Sequence, residues 1–381
     1  MRSNREAIEI AASLMLGFAE RTGLGSSRPA LRYLWTDAFA VCNFLQLARV
    51  TGEKRYTELA LALVDQVHRV LGRHRPDAAR SGWISGLGES EGASHPTLGG
   101  LRIGKPLPER AAVEPFDERL EWERDGQYFH YLTKWMHALD QVARALGEPR
   151  FRLWARELAE TAHAAFSYAQ RATGRRRMVW KMSTDLSRAL VPSMGQHDPL
   201  DGFITCVQLG AGGSPLEPAA SDFAAMLVDV DFETADPLGI GGLLSDAFRI
   251  TQIGVEPRAI WGAIDAGALR ERLLDAALAG IEAYVRGGES RQPASRRLAF
   301  RELGLAIGLE AVPHMRRAVS GTLAPLETLA AHGRLGSEIE SFWLGHRDTP
   351  GFLAHRDIDE VMLATSLIPE GYLILQPSAR S

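Results

Sequence analysis

Apolar residues change their spacing from one segment of the chain to the next, and two contrasting kinds of helix follow. Across residues 33–50 they run almost all round a helix, interrupted chiefly by Thr36, Asp37, Asn43 and Gln46. That is the pattern of an element buried on every side. Residues 55–71 instead confine Tyr56, Leu59, Ala60, Leu63, Val64, Val67 and Leu71 to one stripe, with Glu58, Asp65 and Arg69 off it. Such a helix keeps one face in water. A short turn around Gly52 joins the two, and the whole unit returns 95 residues later, where Gly147 answers Gly52. Ala60 falls on Ala155, Leu63 on Leu158, Asp65 on Glu160 and His68 on His163. In the second copy, residues 127–146 place Tyr128, Tyr131, Leu132, Trp135, Leu139, Val142 and Leu146 at helical spacing, and residues 150–170 mix Trp154, Leu158 and Phe166 with charges.

Fainter pairs follow at 199–210 with 221–230 and at 238–252 with 266–286, and residues 298–310 begin another. Leu244-Ser245-Asp246-Ala247-Phe248 echoes the stretch from Leu34 to Phe39. The first helix runs through Ile8, Ala11, Leu14, Met15 and Phe18 and lacks the continuous apolar core of a signal peptide. Strand patterning is scant, with residues 177–182 the best case. These patterns predict an all-α protein of ten to twelve helices, a single domain over residues 1–381 built from repeated helical hairpins. Turns within the first two pairs are short, whereas the connections at 73–124 and 173–198 are long. In a ring of antiparallel pairs the long connections emerge on one rim, beside the positive N-terminal ends of the inner helices. Long connections in compact domains are usually functional.

Trp35-Thr36-Asp37-Ala38-Phe39, opening an apolar helix, and the turn Thr51-Gly52-Glu53-Lys54-Arg55-Tyr56 with its second copy resemble the six-hairpin, (α/α)6-toroid superfamily of sugar enzymes. That superfamily includes unsaturated glucuronyl hydrolases and N-acylglucosamine or cellobiose 2-epimerases. The match covers roughly residues 30–75 and 120–170; elsewhere the likeness is one of helix rhythm. The resemblance implies an (α/α)6 toroid with a long loop excursion and little β structure, and a sugar-like ligand. Aspartates do the acid/base work in the glucuronyl hydrolases and histidines in the epimerases. This chain offers both types. Glycoside hydrolysis leads, with epimerisation or isomerisation by histidines and non-catalytic ligand binding as the alternatives.

The densest polar cluster is Ser193-Met194-Gly195-Gln196-His197-Asp198-Pro199-Leu200-Asp201. Pro199 suits the first position of a helix, so Asp198 and Asp201 fit either capping and dipole roles or acid/base chemistry beside His197 and Gln196. Gln127, His130, Lys134, His137 and Gln141 form a polar stripe, either a solvated face or a ligand-facing one, with Asp125 just before it. His130 is nearest the rim and His137 two turns deeper. Asp37, in the first turn of the first buried helix, either caps it or serves as an acid with a raised pKa. Glycosidic cleavage commonly uses two carboxyl groups flanking the bond. Asp37, His130, His197, Asp198 and Asp201 are therefore the catalytic candidates. The glycine-rich excursion over residues 81–110 contributes Trp83, His95, Arg102 and Lys105 as binding candidates, and Trp35, Trp122 and Trp180 offer flat rings for sugar faces. Salt-bridged loops and packing anchors are the plain alternatives for these.

Charge and cysteine content narrow the class. The net charge of −4 provides no broad basic footprint for nucleic acid. Only four of the 43 basic residues are lysines. Cys42 and Cys206 lie in apolar helical contexts without a Cys-x-x-Cys pair, so they read as buried free thiols. No apolar run approaches the ~20 residues of a membrane span, and a cytoplasmic location is expected. Gly86-x-Gly88 and Gly104-Lys105-Pro106 fit neither a dinucleotide nor a phosphate loop. No cofactor and no metal are expected, and the oligomeric state is open.

Overall fold

The duplicated hairpin survives in three dimensions with its boundaries intact. The computed structural model describes residues 3–26, 28–210, 216–228, 230–254, 264–319 and 323–375. After α1 (Asn4–Arg21), the first hairpin is α2 (Leu34–Thr51) and α3 (Lys54–Leu71). Beyond the short α4 (Glu89–Ser94) and α5 (Glu118–Glu123) comes the second, α6 (Phe129–Leu146) and α7 (Pro149–Phe166). Each of these four helix starts and ends is displaced by the same 95 residues. Both turns close on a left-handed glycine, Gly52 at φ 73° and Gly147 at φ 69°, where a side chain would clash with the backbone. Buried positions also correspond: Tyr56, Ala60, Leu63, Val64, Val67 and Leu71 in α3 match Phe151, Ala155, Leu158, Ala159, Ala162 and Phe166 in α7. The histidines diverge. His68 is buried and accepts from Trp135 Nε1 at 3.2 Å, while His163 meets Asp222 at 2.8 Å on a more open face.

The chain then forms α8 (Asp198–Gly210), α9 (Glu217–Met226), α10 (Pro237–Ile253), α11 (Ala266–Gly287) and α12 (Ala299–Ala318). The helix expected over 221–230 ends earlier, and its residue 229 lies outside the described residues. The sequence reading stops at residue 310, and α13 (Ala324–Ala331), α14 (Gly333–Gly345), α15 (Pro350–Ala354), α16 (Arg356–Leu367) and α17 (Glu370–Leu373) follow it. The echo between Asp37 and Asp246 has no structural counterpart: Asp37 lies in the first turn of α2, Asp246 in the middle of α10.

Chain contacts divide the protein into two compact units. Of the described residues, one comprises those within 3–18, 43–54 and 231–375; the other comprises those within 19–42 and 55–230. In the first unit, α10 and α12 approach so closely that a Cβ on Gly241 would stand 2.0 Å from Gly304 O. Buried Glu302 on α12 accepts from Tyr284 Oη at 2.8 Å, Trp343 Nε1 at 2.7 Å and Arg297 Nη2 at 2.6 Å. Buried Asp359 caps α12 by accepting from Phe300 N at 2.9 Å.

The second unit contains the long connections, and they are knitted together. The strand expected over 177–182 appears as β3 (Arg176–Met178), which pairs with β2 (Ser167–Ala169), and β4 (Lys181–Met182). β4 pairs antiparallel with β1 (Gln127–Tyr128) on one side and β5 (Ala189–Val191) on the other. Lys181 is fully buried beside this sheet. Its ammonium donates to Glu121 O at 2.7 Å and Arg124 O at 2.8 Å and pairs with Glu121 Oε1 at 2.9 Å. Two backbone carbonyls and a counter-charge thus meet the ammonium, which is the condition for burying a cation. Both cysteines are buried and unbridged, and burial pushes each thiol up to about 12. Among the described residues no helix is long and apolar enough to cross a membrane.

Two stability outcomes follow. Gly241→Ala should destabilise the protein by about 1–3 kcal/mol or more through forced separation of α10 and α12, whereas Gly242→Ala, whose Cβ meets nothing within 4 Å, should stabilise it by about 1 kcal/mol. Urea denaturation of both variants checks the contrast; equal effects would refute the close approach. Lys181→Met removes one of the two cations on buried Glu121, leaving Arg110, and strips two backbone carbonyls of their donor; it should cost about 1–3 kcal/mol, read as a fall in thermal midpoint.

Candidate active site

Two helices deliver their first turns to one place. The extended Tyr128 leads straight from β1 into α6, and Phe129 N donates to Trp180 O at 3.3 Å, so pairing with the second long connection sets the start of that helix. His130 follows at once. α8 opens with Asp198, Pro199, Leu200 and Asp201, all buried. Facing side chains of α6 and α8 then meet in sequence. His130 Nδ1 lies 4.0 Å from Asp198 Oδ1, and Lys134 Nζ lies 2.8 Å from Asp201 Oδ1. Deeper in, His137 Nδ1 meets Gln208 Oε1 at 3.3 Å, and Gln208 Nε2 donates to Asp140 Oδ2 at 2.7 Å. The polar stripe of α6 is therefore a buried seam rather than a solvated face, and Gln127, His137 and Gln141 are almost inaccessible.

Asp198 differs from its neighbours in this seam: Asp201 pairs with Lys134, and Asp140 accepts from Gln208 and Arg144. Its Oδ2 is buried with no hydrogen-bond partner. Burial first, and then the charge of Asp201, push its pKa from 3.8 up to about 7, against the pull of the Gly195 amide and Lys134. Gly195 lies against the carboxyl; a Cβ there would stand 2.5 Å from Oδ2. Burial likewise pushes His130 down to about 4, with Lys134 adding to the fall and Asp201 opposing it. At neutral pH a neutral imidazole thus stands beside a carboxyl near half protonation. Their 4.0 Å separation is too long for a hydrogen bond. Perturbed titrating groups held in such a constellation mark functional-site candidates.

An aromatic wall flanks the pair. Tyr128 stacks on His130 at 5.9 Å and on Trp180 at 4.8 Å, with interplanar angles of 17° and 18°. Tyr131 meets His130 edge-on at 4.6 Å, and its hydroxyl lies 2.5 Å from that of Tyr33. Lys105 Nζ sits 5.4 Å from the centre of the Tyr33 ring.

Several other expected site residues serve the scaffold. Asp37 caps α2, accepting from Tyr33 N at 3.0 Å, and pairs with buried Arg32 at 3.3 Å. Asp125 accepts from Arg102 and from Gly104 N at 3.0 Å, and Arg102 also donates to Val70 O at 2.6 Å and Arg73 O at 2.7 Å. Gln127 clamps both long connections: Nε2 donates to Gly99 O at 3.0 Å and Thr184 O at 2.7 Å, and Oε1 accepts from Leu101 N at 2.9 Å. Trp83 is buried against Gly92, Trp35 is buried against Phe39, and His95 is tied to Glu157 on α7 at 2.6 Å. Gln196 is exposed and His197 half-buried on the segment just before Asp198. Tyr33, Tyr128 and Tyr131 are site neighbours that the sequence did not single out as such. Their apolar spacing matched core packing, and only the phase of α6 turns them toward His130.

Among the described residues no group of three or more His, Cys, Asp or Glu side chains is placed to hold a metal ion. No protein-family profile and no curated protein sequence matches the chain. Solved structures do. The alpha-1,6-mannanase GH76A of Salegentibacter sp. HEL1_6, in an inactive variant with alpha-1,6-mannotriose, is 12% identical, with 97% of this chain and 99% of that chain covered at a TM-score of 0.52. A GH76 alpha-mannanase of Bacteroides thetaiotaomicron is 8% identical over 97% and 96%, at 0.53. Cellobiose 2-epimerase of Spirochaeta thermophila is 11% identical over 95% and 96%, at 0.54. The chain has the six-hairpin, (α/α)6-toroid fold that these proteins share.

The raised pKa of Asp198 makes a signed prediction. In the folded state the proton is held more tightly, so this contribution to stability is full below about 3.8 and lost as pH rises through about 7. The lowered pKa of His130 acts oppositely, with its contribution full above about 6.5 and lost as pH falls through about 4. Asp198→Asn, which keeps His130, should gain about 2–3 kcal/mol on wild type between pH 5 and pH 8 in urea denaturation. An unchanged difference across that range would refute the shift.

Proposed function

We propose that this protein is a carbohydrate-active enzyme that hydrolyses glycosidic bonds with Asp198 as general acid. The carrying observation is the buried Asp198 carboxyl, whose Oδ2 has no hydrogen-bond partner and whose pKa is raised to about 7, beside His130 and an aromatic wall. A carboxylic acid still protonated near neutrality can hand its proton to a departing glycosidic oxygen. Asp201, held by Lys134, supplies a second carboxylate one turn along the same helix. His130, neutral above about 4, returns a proton from water to Asp198. Tyr131 and Trp180, backed by the buried Tyr128 ring, offer apolar faces suited to a sugar ring. Solved proteins of this fold named as mannanases and as an epimerase agree with a carbohydrate ligand.

A second reading rests on one distance. At 4.0 Å, His130 and Asp198 are closer than the ~5–9.5 Å that separates two groups flanking a glycosidic bond. Two groups on one side of a substrate suit proton removal and return next to a carbonyl, as epimerisation or isomerisation requires.

The two readings separate in deuterated water. Hydrolysis of linear alpha-1,6-mannooligosaccharides would release new reducing ends, whereas epimerisation or isomerisation of mannose or cellobiose would place deuterium at C2. Asp198→Asn should lower kcat about 100-fold or more while leaving the sugar dissociation constant nearly unchanged. The wild-type kcat/KM should rise as His130 deprotonates near 4 and fall as Asp198 deprotonates near 7. An unaffected kcat in Asp198→Asn would remove the basis of the proposal.

A further inference from the structure

The aromatic wall does not end inside the site. Trp122, on α5, meets Trp180 edge-on at 4.9 Å and Tyr128 at 6.4 Å, and 46% of it is open to solvent. Rings thus follow one another from solvent to the candidate acid/base pair: Trp122, Trp180, Tyr128, His130. Trp122 is held rather than left loose. Asp117 caps α5 by accepting from Leu120 N at 2.9 Å, and the adjoining Glu121 is buried on Lys181 and Arg110 at 2.9 and 3.1 Å. A large apolar ring presented to water on a rigid support is costly as packing and useful as a platform.

Its polar surroundings point the same way. Most charges nearby are consumed in pairs: Asp125 with Arg102, Glu121 with Lys181, and Glu114 with Arg124. Lys105 and exposed Glu123 are left without an ion pair within 4 Å, although the charge of Glu123 acts on Lys105. Their opposite signs offset, so the rim does not select for an anion. A flat ring open to water with an exposed carboxylate next to it in the chain matches the needs of a neutral polyhydroxylated ring: an apolar face to stack and an acceptor for its hydroxyls.

We propose that Trp122 forms a distal subsite for a neutral sugar unit, so that the site takes an oligosaccharide chain rather than a monosaccharide. This deepens the carbohydrate reading above and rests on it. The subsite acts on binding, and no bond is made or broken there.

The test is titration calorimetry of the full-length Asp198→Asn protein with linear alpha-1,6-mannooligosaccharides and cello-oligosaccharides of one to four units. Affinity should rise about tenfold once the chain is long enough to reach Trp122. Adding Trp122→Ala should abolish that increment while leaving the affinity for shorter chains unchanged, and Trp122→Phe should restore most of it. Circular dichroism of each variant guards against misfolding, and unchanged affinity for the shorter chains is a second guard. Equal length dependence with and without Trp122 would overturn the subsite and leave the carbohydrate reading standing. Absence of binding at every length would overturn the carbohydrate reading and the subsite with it.

Discussion

Two residues of β1 pairing with two residues of β4 hold the candidate site in place. Gln127 and Tyr128 lie opposite Met182 and Lys181, and the connection before α6 is thereby joined to the one that precedes α8. Without that joint nothing along the chain would set the start of α6 against the start of α8. The joint is reinforced from both sides. Gln127 bridges Gly99 to Thr184, and Lys181 reaches back to Glu121 and Arg124. Gly100 is required beside it: at φ 72°, a Cβ there would stand 2.0 Å from Gln127 Oε1. A sheet this small cannot persist alone in water. It persists because Gln127 and Lys181 bond the loops it ties.

Counter-charge and backbone partners also set most buried polar groups of the scaffold apart from the candidate chemistry. Asp125, Gln127, Lys181 and Glu302 are as deeply buried as any residue in the protein, and each spends its hydrogen-bonding capacity on backbone or counter-charge. Asp198 does not. An unbonded carboxyl in a dry place is expensive, and the folded chain lowers the cost by keeping the proton on. The neighbouring Asp201 raises it further even as Lys134 holds Asp201 in place. The environment that destabilises the carboxylate form is the one that lets the acid keep its proton near neutral pH.

Much of the scaffold was legible before any coordinates. The 95-residue repeat, the glycine turns and the contrast between all-round and one-sided apolar helices are local properties, and α2, α3, α6 and α7 follow them within a few residues. Legibility faded toward the C-terminus, where Gly333, Gly336, Gly345 and Gly351 interrupt the apolar spacing and the helices are short. The site was legible in part. His130, Asp198 and Asp201 stood out because they are polar, sit at helix starts and border long connections. Asp37, Asp125 and Arg102 carried the same outward signs, and only their partners assign them to capping and loop anchoring. Tyr33, Tyr128 and Tyr131 carried no sign, because an aromatic residue at helical spacing looks alike whether it faces a core or a cleft.

What the chain determines by itself is periodic: which helices are buried, where they turn, and which segments break the repeat. Those features depend on neighbours three or four residues away, so a single sequence contains them. Which of the rim carboxylates remains unbonded depends on groups brought from 20 to 70 residues away, such as Lys134 to Asp201 and Arg102 to Asp125. Only the tertiary structure decides that, because a hydrogen bond needs its partner at about 3 Å with the right direction, and the order of residues along the chain specifies neither.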